Sequence, residues 1–201
     1  DFIAEPALVG RLFHERYAVW TTSGTTGDPA IFLQDGSALS VYAALAIVRG
    51  IRAWMGPKPM RAFLRGGVRA TAVITKGGHF ASTAVEELIS SIHPAASRRL
   101  RVFTVLTPIP EMVQALNEFQ PTILVGYSTA IELLAQKQMA GELRIRPGLI
   151  ITTAEWITPA ARDPIREAFN CPARDFYAAS EFMGIAYSCA QGHLHVNADW
   201  A

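Results

Sequence analysis

The chain has 201 residues, of which 50% are hydrophobic and 17% are charged, which is typical of one globular domain with ample material for a core. A formal net charge of +1 gives no basis for binding nucleic acid or an acidic surface. Two cysteines make no disulfide framework and no signal peptide opens the chain, so the cytoplasm is the expected compartment. The apolar stretch 38–55 is interrupted by Arg49 and Arg52 and is expected to form a buried helix, not a membrane span.

The first predicted element is a β-hairpin with a polar loop. Short apolar runs at 17–20 and 30–33 predict its strands, and the loop between them, 21–29, reads TTSGTTGDP. Gly24 and Gly27 permit left-handed backbone angles, so successive amide groups can converge on an anion while the hydroxyl groups add donors. Neither a Lys nor a helix follows the last glycine, so this is not a Walker loop, and a plain hairpin turn is the alternative.

The remaining elements alternate between helix and strand. Helices are predicted over 36–54, 82–92, 110–119, 128–139 and 158–170, and strands over 61–65, 70–75, 100–106, 122–125, 149–152 and 173–177. The strands at 123–125 and 149–151 are continuous apolar runs, as in a parallel sheet covered on both faces. The predicted fold is therefore α/β, a mostly parallel doubly wound sheet flanked by helices, with the Gly/Ser/Thr-rich hairpin loop and a small C-terminal β-hairpin within 184–196.

Three segments follow strands and are expected to share the carboxyl rim of the sheet, where ligands collect: 126–128, 153–155 and 177–181. In the last segment, Tyr177 can stack on a flat base, a hydroxyl can bond a phosphate, and Glu181 can hold Mg²⁺. The alternative is that Glu181 stabilises the first turn of a following helix.

Two of these segments resemble motifs of the adenylate-forming superfamily. Residues 23–29, SGTTGDP, resemble its phosphate-binding loop, and 177–181, YAASE, resemble its Tyr-Gly-x-Thr-Glu motif, with Ala178 and Ser180 where glycine and threonine are usual. The turn 153–155 resembles its adenine-contacting turn, and other segments resemble the phenylacetate–CoA ligase branch. The order of the elements also matches.

The resemblance implies specific roles for the residues of these motifs. Ser180 would contact the α-phosphate and Glu181 would ligate Mg²⁺, and both are the expected catalytic residues. Glu155 as an ordinary surface carboxylate is the alternative to its place beside the base. The implied nucleotide-binding residues are Thr22, Ser23, Gly24, Thr25, Thr26, Gly27, Thr153, Ala154, Glu155, Tyr177 and Ala178.

Two further sites follow from the resemblance to the phenylacetate–CoA ligase branch. A pocket for the carboxylic acid would be lined by His79, Phe80, Tyr127 and Trp156, for each of which a core role is the alternative. A zinc site would use Cys189, His193 and His195, and here the alternative is the ordinary Gly-x-His hairpin of the branch.

The implied function is the ATP-dependent activation of a carboxylic acid, with an aryl or arylacetic acid favoured, to an acyl-adenylate, followed by thioester formation with coenzyme A. ATP and Mg²⁺ are the expected cofactors, coenzyme A is the co-substrate, and the small-molecule acid is the partner, with no nucleic acid or membrane. Transfer of the acyl group to an amine, a carrier protein or a sugar is an alternative. A non-catalytic nucleotide-binding module is another.

Residues 1–201 are expected to form a single nucleotide-binding domain that is incomplete at both ends relative to the superfamily. The C-terminal lid domain, which carries a catalytic Lys, is expected to be absent, so the fragment alone is expected to be inactive. The oligomeric state stays open, with a homodimer of the full-length protein as one option.

Overall fold

The computed structural model describes residues 2–22, 27–92 and 97–200 of the chain. The strands are β1 (Ala18–Thr21), β2 (Ile31–Gln34), β3 (Ala70–Ile74), β4 (Leu100–Thr104), β5 (Ile123–Tyr127), β6 (Leu149–Thr153), β7 (Ala173–Tyr177), β8 (Ala186–Ser188) and β9 (Leu194–Val196). The helices are α1 (Gly36–Leu45), α2 (Pro57–Gly66), α3 (Ala81–Ile92), α4 (Ile109–Phe119), α5 (Ser128–Met139) and α6 (Pro159–Phe169), with a short 3-10 helix at Pro6–Leu8.

A seven-stranded sheet forms the centre of the fold, in the order β4-β3-β5-β6-β7-β8-β9. The first five strands in this order are parallel, and β8 and β9 add an antiparallel hairpin at the β7 edge. The chain moves from β3 outward to β4 and then returns past β3 to β5. The strand order thus reverses between β3 and β5, which is where such sheets open a crevice at their carboxyl ends.

Both faces of the sheet are covered, which explains why its central strands are apolar without alternation. On one face, α4, α5 and α6 pack on Leu124 and Ile150, whose side chains are fully buried. On the other face lie α1, α3 and the separate two-stranded hairpin β1-β2, with Trp20 at its centre. The predicted doubly wound α/β fold and the C-terminal hairpin are confirmed.

The prediction of a strand at 61–65 was wrong, because these residues lie inside α2. Pro57 occupies the first helical turn, where its missing N–H costs nothing, and Gly67, at a φ of +67°, ends the helix. A short apolar run such as 62–64 fits a strand and a helix equally well, so periodicity alone did not decide between them.

The helix predicted over 36–54 is present, but the expectation that it is buried was wrong. It continues from α1 through a π-helical segment, Ala46–Ile51, to a last turn at Arg52–Trp54. Ile47 and Val48 are each 58% exposed. Within the described ranges no single helix is long and apolar enough to cross a bilayer, although Gly36–Trp54 and Pro57–Gly66, bent by 106° at their junction, meet that length and composition together.

Candidate nucleotide site at the carboxyl rim

The β1-β2 hairpin is attached to the carboxyl rim of the sheet through the segment that follows β3. The backbone N–H of Thr21 donates to the carbonyl of His79 over 2.8 Å, and Thr21 pairs with Phe80 in a parallel bridge. Because β1 ends at Thr21, the polar loop begins at this rim.

The turn that carries Ser180 and Glu181 is held by the same hairpin. Ala179 and Phe182 exchange two backbone hydrogen bonds of 3.1 Å each, which close a tight turn with Ser180 and Glu181 at its tip. The indole Nε1 of buried Trp20 donates to the carbonyl of Ser180, and Nε2 of Gln34 donates to the carbonyl of Glu181 over 3.3 Å. One bond comes from each hairpin strand, so the turn and the hairpin form one packed unit.

The side chain of Glu181 takes no part in these contacts, which use its backbone carbonyl. It is exposed, and its carboxylate has no hydrogen-bond or ion-pair partner in the part of the chain that the structure describes. The chain continues into β8 and not into a helix, so the helix-capping alternative was wrong. An unpartnered carboxylate on a fixed turn suits Mg²⁺, which proteins commonly bind through one or two carboxylates together with substrate phosphates.

The base of the polar loop is closed by reciprocal hydrogen bonds. Thr22 N–H donates to the carbonyl of Ala30, and Ala30 N–H donates to Oγ1 of Thr22, both over 3.0 Å. Thr22 is half-buried and Gly27 is exposed. The predicted phosphate-binding residues Ser23, Gly24, Thr25 and Thr26 lie outside the described residues.

Tyr42 on α1 contacts two residues that hold the turn at Ser180 and Glu181 in place. Its hydroxyl donates to Oε1 of Gln34 over 2.8 Å, and its ring meets that of Phe182 edge to face at 5.1 Å between centroids. Burial raises the pKa of Tyr42, so the phenol keeps its proton and remains a donor. Sequence reasoning missed both Gln34 and Tyr42, since neither belongs to a motif.

Glu155 connects two segments of the rim. Its carboxylate accepts hydrogen bonds from the backbone N–H and the hydroxyl of Thr129, each over 2.9 Å, and its carbonyl accepts from Ser128 Oγ over 3.1 Å. Ala154, at a φ of +64°, forms the corner of this turn. Glu155 is therefore tied to the start of α5, and Thr129 is a positioning residue that the sequence did not reveal.

The predicted base-binding residues lie side by side at the strand ends. Thr153 is paired with Tyr127 of β5 on one side and with Phe176 of β7 on the other. Tyr177 follows Phe176 at the end of β7 and is 53% exposed, so its ring is accessible to a stacking partner. Ala178, next along the chain, is half-buried.

The four residues predicted for the acid pocket do not line one described cavity. His79 is 3% exposed, its ring nitrogens have no partner among the described residues, and the ring lies 5.4 Å from that of Phe2. Phe80 is half-buried, whereas Trp156 is 71% exposed. Tyr127 lines an apolar cavity of about 360 Å³ between α4 and α5, and its hydroxyl accepts a hydrogen bond from Thr75 N–H over 3.2 Å.

The residues predicted for zinc include one close pair. A hydrogen bond with His195 lowers the pKa of the Cys189 thiol to about 7, and Cys189 N–H donates to the carbonyl of His193 over 2.9 Å. Cys171 lies elsewhere and is buried, which raises the pKa of its thiol to about 12. Across the described ranges no three His, Cys, Asp or Glu residues are grouped so as to hold a metal.

We expect iodoacetamide to alkylate Cys189 long before Cys171 in the folded protein at neutral pH. A thiol with its pKa lowered to about 7 is roughly half thiolate at pH 7, compared with a few per cent for an ordinary thiol. His195→Ala should therefore slow the labelling of Cys189 about tenfold, as followed by mass spectrometry of tryptic peptides. His193→Ala is the matched control, because His193 contacts Cys189 through its backbone. Equal slowing in both variants would contradict the role of His195.

No protein-family model matches the chain. Over 87 residues, 42% of the chain, it is 39% identical to Protein CapK of Staphylococcus aureus, and the match spans 19% of that protein.

Solved structures resemble the chain over most of its length. A 2-hydroxyisobutyryl-CoA ligase in complex with 2-HIB-AMP and CoA matches 95% of the chain with a TM-score of 0.55 and 18% identity. VinN in complex with L-aspartate matches 86% with a TM-score of 0.56 and 16% identity, and the Vibrio cholerae adenylation domain AlmE in complex with glycyl-adenosine-5'-phosphate matches 89% with a TM-score of 0.53 and 17% identity.

These structures define the class of fold. The chain has the α/β fold of adenylate-forming ligases, and it spans 41%, 40% and 31% of the lengths of the three structures named. What it shares with them at these identities is the fold.

Proposed function

We propose that the full-length protein containing this chain activates a carboxylic acid with ATP to form an acyl-adenylate and pyrophosphate. We further propose that it transfers the acyl group to coenzyme A. The resemblance of segments of the chain to the phenylacetate–CoA ligase branch supports placing the protein in that branch. An aryl or arylacetic acid is the favoured substrate.

One observation carries this proposal: the hairpin and the acidic turn share one rim through direct hydrogen bonds. Trp20 binds the carbonyl of Ser180 and Gln34 binds that of Glu181, from strands that flank the polar loop. The two strands that flank the polar loop and the turn that carries the carboxylate of Glu181 are thus joined at the carboxyl ends of the parallel strands. A triphosphate with its cation needs hydrogen-bond donors and a carboxylate close together, and this connection supports the proposal for that reason.

Each residue of the rim would bind a different part of the nucleotide during adenylation. The open ring of Tyr177 would stack on the adenine, Ser180 would bond the α-phosphate, and the loop after Thr22 would hold the outer phosphates. An oxygen of the substrate carboxylate attacks the α-phosphorus, a new P–O bond forms, and the bond to pyrophosphate breaks. The chain then acts by positioning and electrostatics, without a covalent enzyme intermediate.

Glu181 is the residue that would hold the divalent cation of the nucleotide. When bound, Mg²⁺ neutralises phosphate charge. The carboxylate suits this role because it is exposed, unpartnered among the described residues and carried on a turn fixed by its own backbone.

The second candidate differs in the acyl acceptor. Of the three complexes named, only that of the 2-hydroxyisobutyryl-CoA ligase contains CoA, whereas AlmE was solved with glycyl-adenosine-5'-phosphate and VinN with L-aspartate, neither of which is an acceptor. Transfer to an amine, a carrier protein or a sugar is the second candidate. It shares the adenylation step and differs only in the nucleophile.

Product analysis tests the proposal. The full-length protein is incubated with ATP, Mg²⁺ and a panel of carboxylic acids, with and without coenzyme A, and the products are identified by mass spectrometry. Acyl-AMP that turns into acyl-CoA supports the ligase, and acyl-AMP that persists with coenzyme A present supports the second candidate. Binding of ATP without acyl-AMP from any acid would leave only the non-catalytic nucleotide-binding module.

A further inference from the structure

A separate cleft lies at the amino ends of the parallel strands, opposite the carboxyl rim. Its walls include Thr122 before β5, Gly148 before β6 and Asn170 before β7, and α2 covers its outer side. The cavity has a volume of about 660 Å³. Since these strands are parallel, the cleft is separated from the carboxyl rim by the length of the strands.

The cleft concentrates positive charge. Its lining contains no Asp or Glu, although the chain as a whole has 18 Lys and Arg against 17 Asp and Glu. The five ion pairs found among the described residues all use other cations. The cationic residues of the lining are Lys58, Arg61, Arg65, Arg69 and Arg146.

Two of these cations are fixed in place by uncharged acceptors. Arg69 donates from Nε and Nη2 to the carbonyl of Gln120 over 3.0 and 2.7 Å, and from Nη1 to that of Gly66 over 2.7 Å. Lys58 Nζ donates to the carbonyl and the side-chain oxygen of Asn170 over 3.1 and 2.8 Å. These bonds orient the side chains and leave their charge uncompensated.

Two more cations stand on a rigidly packed helix. Arg61 and Arg65 are one turn apart on α2, both are exposed, and neither has a hydrogen-bond or ion-pair partner within the described ranges. The helix cannot shift toward the sheet, because even a Cβ added to Gly148 would lie 2.6 Å from Cβ of Ala62. The packed helix thus fixes the two positions from which Arg61 and Arg65 line the cleft.

We propose that this cleft binds a small metabolite carrying at least two phosphate groups, at a site separate from the carboxyl rim. Guanidinium forks match phosphate oxygens in pairs, and several unneutralised cations favour a multiply charged anion over a single phosphate. The volume lies in the range of small-molecule sites. The adjoining cavity contains Asp163 and Glu167 beside its cations, so the unbalanced positive region ends there and does not form the long stripe that a nucleic acid needs.

Calorimetric titration of the full-length protein with fructose bisphosphate tests this site. We expect saturable binding that is unaffected by saturating AMP at the carboxyl rim, weakens with added salt, and exceeds the affinity for a hexose monophosphate. Saturation with AMP keeps the result independent of the proposed adenylation activity. The proposal would be overturned if fructose bisphosphate did not bind at millimolar concentration or if AMP displaced it. Tighter binding of a single-stranded oligonucleotide would overturn the assignment to a small molecule.

The double variant Arg61→Gln/Arg65→Gln locates the site. Because both side chains are exposed and unpartnered, we expect a folded protein with unchanged acyl-adenylate formation and about tenfold weaker binding of fructose bisphosphate. Arg144→Gln is the matched control, since Arg144 is an exposed arginine that does not line the cleft. Equal affinity in the double variant and the wild type, with both folded by circular dichroism, would place the anion elsewhere and overturn the proposal.

Discussion

Glu181→Gln in the full-length protein is expected to lower the kcat of ATP–pyrophosphate exchange by about 10²–10³-fold, because it removes the negative group that the proposed function assigns to the cation of the nucleotide. The substitution preserves side-chain size and leaves the backbone carbonyl that Gln34 holds. The loss should therefore appear in exchange kinetics and not in thermal stability, which we expect to change by less than about 0.5 kcal/mol.

The matched control is Glu167→Gln. Glu167 is also an exposed carboxylate, but it lies on α6 and is absent from the carboxyl rim. We expect wild-type exchange rates from this variant under the same conditions. If Glu181→Gln keeps full exchange activity across a Mg²⁺ titration, the assignment of Glu181 to the nucleotide site is wrong.

The sheet was predictable because burial on both faces leaves a clear mark on the sequence. The runs 123–125 and 149–151 are apolar without alternation, and the structure places both in central parallel strands. The cap of α6 was equally readable, since Thr158 accepts a hydrogen bond from Ala161 N–H over 3.1 Å with Pro159 in the first turn. Signals of this kind are local, and each is set by a few neighbouring residues.

The errors arose where a local signal was ambiguous. The run 62–64 is too short to distinguish period two from period 3.6, so a strand was predicted where α2 lies. The apolar composition of α1 and its continuation predicted burial, yet Ile51 is 50% exposed. Composition states how much apolar surface exists, and only the tertiary packing decides how much of it is covered.

The supports of the candidate site were beyond sequence reasoning for a different reason. Trp20 and Ser180 are 160 positions apart, and Gln34 and Glu181 are 147 apart. The strand-end rule indicated which segments share the rim, but it contains no information about which side chain meets which carbonyl. Thr129, which holds Glu155, was missed because the contact joins the start of α5 to the loop after β6, 26 positions further along the chain.

Trp20→Phe is expected to reduce both stability and activity, by separate routes. The ring stays apolar, but the indole N–H that holds the carbonyl of Ser180 is lost, and an unsatisfied acceptor costs about 1–3 kcal/mol in unfolding free energy. The turn then loses one of its two hydrogen bonds to the hairpin, so the position of Glu181 relative to Thr22, just after β1, is less well fixed. We expect the kcat of acyl-adenylate formation to fall about tenfold at a temperature where the variant is fully folded.

Trp54→Phe separates the two effects. Trp54 is also buried, at 6% exposure, and its Nε1 donates to the carbonyl of Ser188 over 2.8 Å, so the same kind of bond is removed at a place away from the rim. Chemical denaturation should show comparable losses of stability in the two variants, whereas only Trp20→Phe should lower kcat. A tenfold loss of kcat in both would mean that activity follows overall stability. The hydrogen bond between the hairpin and the turn would then have no specific part in the proposed activity.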